Sequence, residues 1–131
     1  MKLLLLGATG GTGQQVLTQA LSAGHEVTAL VRNRAGIQEP HERLRVIEGD
    51  LLDGSTTLTD TVAGHDAVIS ALGRGMSFQS GHLIERCAPL IVEAMQTHGV
   101  QRLIFTSALG VGETIRDAPL FSRLFVRILL R

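Results

Sequence analysis

The glycine-rich segment near the start of the chain carries the residues whose types and spacing best suit ligand chemistry. It reads Gly7-Ala8-Thr9-Gly10-Gly11-Thr12-Gly13 and follows an apolar run directly. In such a turn the first spaced glycine permits a tight bend, the second lets a pyrophosphate approach the backbone, and the third lets the following helix pack closely. Free N–H groups at the start of that helix would face the anion. The segment therefore predicts a dinucleotide phosphate site, with a glycine turn that binds nothing as the alternative.

The residues after the second predicted strand bear on which dinucleotide would bind. An acid about twenty residues beyond the glycines would accept a hydrogen bond from the adenosine ribose 2′-OH. The sequence has Arg32-Asn33-Arg34 there instead. A hydrogen bond from Arg32 to a 2′-phosphate is worth roughly 1.5–3 kcal/mol, or about a ten- to hundredfold preference. We therefore expect NADP(H) rather than NAD(H), with Arg34 as the less certain contact and two solvated surface arginines as the alternative.

The lack of tyrosine and the scarcity of lysine limit the catalytic chemistry that this chain can perform. The sequence contains no tyrosine, and Lys2 is its only lysine. A catalytic Tyr-Lys pair, a P-loop lysine and a buried Schiff-base lysine are therefore excluded. The histidines have no metal-ligand spacing, so no metal site is predicted. Cys87 falls on an apolar helix face and is expected to be an inert core thiol.

Short apolar runs alternate with helical patterns along the chain. The predicted strands are Leu3–Leu6, Glu26–Val31, Leu44–Ile47, Asp66–Ser70 and Arg102–Thr106. Continuously apolar strands are typical of a parallel sheet that is covered on both faces. The alternation predicts an α/β, Rossmann-type doubly wound sheet with strand order 3-2-1-4-5 and with the sixth strand missing.

Two helices have clear apolar faces. One runs through Val16 and Leu21 and stops near Gly24, and the other runs from Leu83 to a stop at Gly99. Pro89 lies inside the second pattern, where it removes a helix hydrogen bond. We therefore expect either a kink at this proline or a late helix start.

Taken in order, the motifs resemble those of the atypical short-chain dehydrogenase/reductase families. The most similar group is the NAD(P)H-binding one that contains biliverdin-IXβ/flavin reductases and nitrogen-metabolite-repressor-like proteins. The resemblance runs from Met1 to about Gly110. It is carried by Gly7–Gly13, Leu30-Val31-Arg32, Gly49-Asp50-Leu51, Ala71-Leu72-Gly73 and Thr106-Ser107-Ala108.

This resemblance implies roles for residues that follow the strands. Asp50 and Leu51 would cradle the adenine, although Asp50 could also cap a helix. The segment Ala71-Leu72-Gly73 would belong to the cofactor site, with its last two residues lining the path toward the nicotinamide ribose. Thr106 and Ser107 would lie beside the nicotinamide. Ser107 is the expected catalytic hydrogen-bonding residue, and a turn hydroxyl bonded to its own backbone is the alternative.

The resemblance also implies an activity. We expect an NADPH-dependent reductase of a flat conjugated small molecule, such as a flavin, a quinone or a tetrapyrrole. The loop 73–81 contains Met76 and Phe78, which could cover such an acceptor, and an ordinary mobile connection is the alternative. A non-catalytic NADP(H)-sensing regulatory or binding module remains a second hypothesis, and a structural subunit or remnant a third.

Composition bears on partners and surroundings. Zero net charge and 3% aromatic residues argue against a nucleic-acid partner, and no apolar run is long enough for a membrane partner. A single cysteine fits a reducing cytoplasm. We expect one domain over residues 1–131 that is incomplete at its carboxyl end. The apolar edge of the fifth strand and an amphipathic tail at 120–131 predict self-association.

Overall fold

The computed structural model describes residues 1–38, 40–53, 57–73 and 83–106. Within them the strands are β1 (Lys2–Leu6), β2 (Glu26–Val31), β3 (Leu44–Glu48), β4 (Ala67–Ser70) and β5 (Leu103–Phe105). The helices are α1 (Gly11–Ser22), α2 (Thr57–Val62) and α3 (Leu83–His98), with a 3-10 helix over Arg34–Gly36. Each strand agrees with its predicted bounds to within one residue at either end. Helix α2 and the 3-10 helix were not predicted.

The strands form one parallel sheet in the order β3-β2-β1-β4-β5, which confirms the predicted doubly wound fold. Strand β1 is central and pairs with both β2 and β4, so that Leu6 lies between Leu30 and Ser70. Because all strands are parallel, the segments that follow them meet at one edge of the sheet. This carboxyl edge is where doubly wound folds bind ligands.

Burial of β1 on both faces explains its unbroken run of leucines. Leu4 and Leu6 pack in a core cluster with residues of α2 and α3, whereas Leu5 packs in a second cluster with residues of α1. The three side chains are exposed by only 0%, 1% and 0% in chain order. Burying a leucine fully stabilises a fold by roughly 1.5–3 kcal/mol. The strand that carries the glycine-rich segment is therefore firmly held in the core.

Helix α3 accommodates a proline in its interior. Pro89 lies inside the continuous span Leu83–His98, and it is exposed. Of the two expected alternatives, the late helix start is therefore wrong, and the kink stays a prediction. Cys87, Ile91 and Met95 turn the apolar face of the helix toward the sheet, so this packing offsets the lost hydrogen bond.

None of the helices in the described ranges is long and apolar enough to cross a membrane. The predicted tail helix at 120–131 and the loop residues Met76 and Phe78 lie outside the described residues.

Candidate functional site

Two of the glycines after β1 are required by the packing of the protein itself. Gly7 has φ of 80°, a conformation that favours glycine, and a Cβ there would lie 2.7 Å from the Ala71 carbonyl oxygen. A Cβ on Gly13 would lie 1.9 Å from the Gly7 carbonyl oxygen. These close approaches hold the start of α1 on the turn and the turn on the end of β4. Substitution at either position must therefore displace backbone.

The two glycines between them are not required in this way. Gly10 has φ of −78° and ψ of 162°, an extended conformation open to any residue. A Cβ on Gly10 would make only an ordinary contact of 3.6 Å with the Gly7 oxygen, and a Cβ on Gly11 would meet nothing within 4 Å. The fold therefore tolerates side chains at positions 10 and 11. Because both residues are glycine, the backbone there is not covered by a side chain, and we call this surface the bare backbone.

The first backbone N–H groups of α1 lie beside this bare backbone and can donate hydrogen bonds. Gly10 caps the helix without a side-chain hydrogen bond, and the first turn contains no acidic residue. The carbonyl oxygen of Gly10 accepts from the Gln14 N–H at 2.9 Å. Within the described ranges, the N–H groups of residues 11–13 have no acceptor. Unpaired N–H groups and the positive pole of the helix together favour an anion.

Thr9 joins the glycine turn to the segment after β2. The Gln14 side chain donates to the Thr9 carbonyl oxygen at 3.3 Å. The Thr9 methyl group packs so closely on Gly36 that a Cβ on that glycine would lie 2.5 Å from it. Residues 32–37, which we call the arginine turn, therefore lie against the glycine turn. The sequence analysis predicted a role for neither Gln14 nor Gly36. Of the two, only Gly36 offered a signal, because it is a single glycine just after a predicted strand.

The two arginines of the arginine turn have different surroundings. Arg32 follows the last residue of β2, is exposed, and has no hydrogen bond or ion pair to any other described residue. The Arg34 guanidinium, in contrast, donates to the Val46 carbonyl oxygen. The Arg34 backbone N–H donates to Glu48 Oε2 at 3.1 Å. Of these two arginines, Arg32 alone has no partner among the described residues.

Asp50 and Leu51 follow β3 at the same edge. Gly49 lies close to the start of α2, because a Cβ there would be 2.8 Å from the Thr57 methyl group. The Asp50 carboxylate accepts from the Leu52 N–H at 2.9 Å. This is a turn contact rather than the expected helix cap, since the described residues 51–53 that follow Asp50 are not helical. Leu51 is half-buried against the core.

The segments after β4 and β5 are tied together at the carboxyl edge. The Ala71 N–H donates to the Leu6 carbonyl oxygen at 2.9 Å. Thr106 donates twice to the Ser70 carbonyl oxygen, from its N–H at 3.0 Å and from Oγ1 at 3.1 Å. A Cβ on Gly73 would meet nothing within 4 Å. Ala71 and Leu72 therefore lie against Gly7, and Thr106 lies beside Ser70 at the same edge.

Leu72 also packs on the core from this edge. Ser107, the expected catalytic residue, lies outside the described residues, so its placement stays a prediction.

Cys87 is buried completely on the sheet-facing side of α3. Burial raises the pKa of its thiol, and the nearby charge of Asp50 raises that pKa further, while Arg86 acts in the opposite direction. The thiol is therefore protonated and unreactive at neutral pH. Across the described ranges, no three His, Cys, Asp or Glu side chains come together as a metal site.

Comparison with known proteins adds a family. A family model described as NAD(P)H-binding matches residues 7–129. The uncharacterized protein YwnB of Bacillus subtilis (strain 168) is 36% identical over 110 residues. The match covers 84% of this chain and 48% of YwnB, so the chain spans about half the length of that curated relative.

Two solved structures superpose on the chain over most of its length. A candidate NADH-flavin reductase from Streptococcus pneumoniae TIGR4 is 28% identical with a TM-score of 0.72, covering 98% of this chain and 60% of its own. An anaerobillin reductase from Escherichia coli O157:H7 has a TM-score of 0.77 and covers 100% of this chain and 62% of its own. The second likeness, at 20% identity, supports the fold alone.

Proposed function

The chain belongs to the NAD(P)H-binding family, as its resemblance to the atypical short-chain reductases led us to expect, and we propose that it is an NADPH-dependent reductase of a flat conjugated acceptor. The observation that carries this proposal is the bare backbone at Gly10 and Gly11, beside N–H groups without acceptors in the described ranges. A pyrophosphate would fill the space that side chains leave open there and would accept from those groups.

Arg32 supports a preference for the phosphorylated cofactor. Its side chain is exposed beside the glycine turn and has no partner among the described residues. A 2′-phosphate on the adenosine ribose would supply that partner, whereas an unphosphorylated ribose would not. The name of the Streptococcus pneumoniae neighbour specifies NADH, so the proposed preference rests on Arg32 alone.

The remaining carboxyl-edge residues would position the rest of the cofactor. Asp50 and Leu51 would contact the adenine from the end of β3, while Leu72 and Gly73 would line the path toward the nicotinamide. Thr106 already donates its hydroxyl proton to the Ser70 carbonyl oxygen, so toward a ligand its Oγ1 can only accept. The bound cofactor supplies the hydride, and the protein supplies binding, orientation and exclusion of water.

The proposed acceptor is a flavin, a quinone or a tetrapyrrole. Support comes from the 28% identical neighbour whose name describes a flavin reductase. We propose Ser107 as the residue that donates a hydrogen bond to the nicotinamide amide or to the acceptor. Residues 1–131 contain no tyrosine, so a donor from these residues cannot be a tyrosine hydroxyl.

Fluorescence titration of NADPH and NADH, followed by steady-state rates with a panel of flavins, quinones and a biliverdin, tests this proposal. We expect NADPH to bind at least about tenfold more tightly than NADH. We also expect turnover with at least one acceptor, and Gln15→Ala on the exposed side of α1 as a control should change neither result. Equal affinities would refute the cofactor choice. Tight NADPH binding without turnover would refute the reductase and favour a non-catalytic NADP(H)-sensing module.

A further inference from the structure

Arg32 and Arg34 are separated by one residue, but their side chains have different contacts. We infer that Arg34 is a positioning residue, which fixes the arginine turn on the outer edge of β3 while Arg32 alone faces the cofactor phosphate. The inference rests on the proposed NADPH preference, and it names the residue that maintains it.

The side chain of Arg34 caps the free edge of the sheet. Strand β3 is outermost in the described sheet and pairs only with β2. Residues 43 and 49 bond to β2, so alternate residues such as Val46 direct their backbone groups away from it. The Arg34 guanidinium donates to that outward Val46 carbonyl oxygen. The Arg34 N–H donates to the carboxylate of Glu48 at 3.1 Å. Two contacts therefore fasten the turn to β3.

These contacts hold the Arg34 guanidinium at Val46, in the middle of β3, two residues before the carboxyl end of that strand. It lines an open groove of about 780 Å³ along the edge of β3, which extends from His41 and Leu44 to Glu48 at the carboxyl end of the strand. The glycine turn follows the central strand β1. The bond to Val46 restricts where the Arg34 guanidinium can lie, whereas no bond to a described residue restricts Arg32.

The other end of the arginine turn is fixed by close packing. Gly36 lies against the Thr9 methyl group. Between the two anchors, Asn33 Oδ1 accepts from the Ala35 N–H at 2.9 Å and the Arg34 carbonyl oxygen accepts from the Ile37 N–H at 3.0 Å. Arg32 enters this rigid segment directly from β2. Preorganisation of this kind lowers the entropy lost when a side chain meets its ligand.

A double-mutant cycle on the full chain separates positioning from direct contact. NADPH and NADH affinities are measured for wild type, Arg32→Ala, Arg34→Ala and the double variant, with Arg45→Ala as a control that removes an exposed arginine of β3. We expect Arg32→Ala to lower the NADPH preference about tenfold or more, and Arg34→Ala to lower it about threefold. Because Arg34 acts through Arg32, the double variant should match Arg32→Ala within about twofold. The inference would be overturned if Arg34→Ala alone left the NADPH preference unchanged. It would also be overturned if adding Arg34→Ala to Arg32→Ala lowered that preference further.

Removing Glu48 gives a second test with opposite expected signs. If Arg34 contacted the phosphate directly, Glu48→Ala would remove a repelling carboxylate and strengthen NADPH binding relative to NADH. If Arg34 positions the turn, Glu48→Ala should weaken that preference, since the turn loses an anchor. Glu42→Ala, an equal charge change ahead of β3, is the control. A stronger NADPH preference than in Glu42→Ala would overturn the inference.

Amide hydrogen exchange in the cofactor-free protein distinguishes failure of this inference from failure of the proposed function. Arg34→Ala should speed exchange at Ala35 and Ile37 by about threefold or more, while exchange in β1 stays unchanged. Unchanged exchange at both amides would overturn the anchoring whatever the cofactor affinities. Faster exchange in a protein whose wild type binds both cofactors equally would refute the proposed NADPH preference, and with it the assignment of Arg32 as phosphate ligand, but not the anchor.

Discussion

Gly10→Ala should separate cofactor binding from folding. The new Cβ would lie 3.6 Å from the Gly7 carbonyl oxygen, which is an ordinary contact, and the backbone at Gly10 suits alanine. Alanine is a poorer helix cap than glycine by up to about 1 kcal/mol, and the less flexible unfolded chain offsets about 0.4–1 kcal/mol of that. We therefore expect the free energy of unfolding to stay within about 1 kcal/mol of wild type.

Cofactor binding should respond much more strongly to the same methyl group. The Cβ would occupy the bare backbone surface that the pyrophosphate is proposed to cover. One or two hydrogen bonds to a charged group would lengthen or break, at roughly 1.5–3 kcal/mol each. The dissociation constant for NADPH should therefore rise at least about tenfold, and by as much as about ten-thousandfold if two bonds are lost. NADH should be affected equally, because the pyrophosphate is common to both cofactors.

Isothermal titration with both cofactors and urea denaturation of the same samples measure the two effects together. Gly13→Ala is the matched contrast, because its Cβ would lie 1.9 Å from the Gly7 carbonyl oxygen and should prevent stable folding. Gln15→Ala on α1 is the neutral control. If a folded Gly10→Ala protein bound NADPH with wild-type affinity, the proposed pyrophosphate contact at Gly10 would be refuted. In that case Gly10→Val, whose side chain is bulkier, should also bind NADPH with wild-type affinity.

Four further results are expected. In urea denaturation, Ser70→Ala should leave the free energy of unfolding unchanged or raise it by up to about 1 kcal/mol. The reason is that Ser70 Oγ is buried without a hydrogen-bond partner in the described part of the chain. A decrease of more than about 1 kcal/mol in the free energy of unfolding would contradict this. Ser107→Ala should keep NADPH affinity within about twofold while lowering acceptor turnover about tenfold or more, and equal turnover would remove Ser107 from the mechanism. Native Cys87 should resist iodoacetamide at pH 7 and react after unfolding, since burial and the Asp50 charge hold its pKa high, whereas rapid native labelling would contradict its burial. If copies associate through β5, Ile104→Lys should convert an oligomer to a monomer in light scattering, because Ile104 is 50% exposed on that strand; a wild-type monomer would refute association.

The sheet could be predicted from the sequence because its strands are buried on both faces. An apolar run such as Leu3–Leu6 has few alternatives, and Gly7 marks its end as clearly as any residue can. Helix α2 escaped prediction because its described span, Thr57–Val62, covers six residues of which three are threonines, which are weak helix formers. Short elements of this kind are held by tertiary packing, which a local pattern does not contain.

The candidate site was predictable in its parts but not in its contacts. The positions of Arg32 and Asp50 follow from their place after a strand, since parallel strands bring such residues to one edge. The approach of Gly36 to Thr9, and the bond from Arg34 to the edge of β3, join segments that are far apart in the chain. Nothing in the spacing of arginines 32 and 34 indicates which one is already engaged.

The glycine turn would leave a distinct record in the evolution of this sequence. Gly7 and Gly13 answer to the packing of the chain on itself, so any descendant that keeps the fold must keep them. No close packing contact among the described residues requires glycine at 10 or 11, so a bound dinucleotide would be the stronger constraint on these two positions. A lineage that abandoned its dinucleotide would therefore accumulate side chains at 10 and 11 while 7 and 13 stayed glycine. Two of the four glycines of this turn would thus vary with the fold, and the other two with cofactor binding.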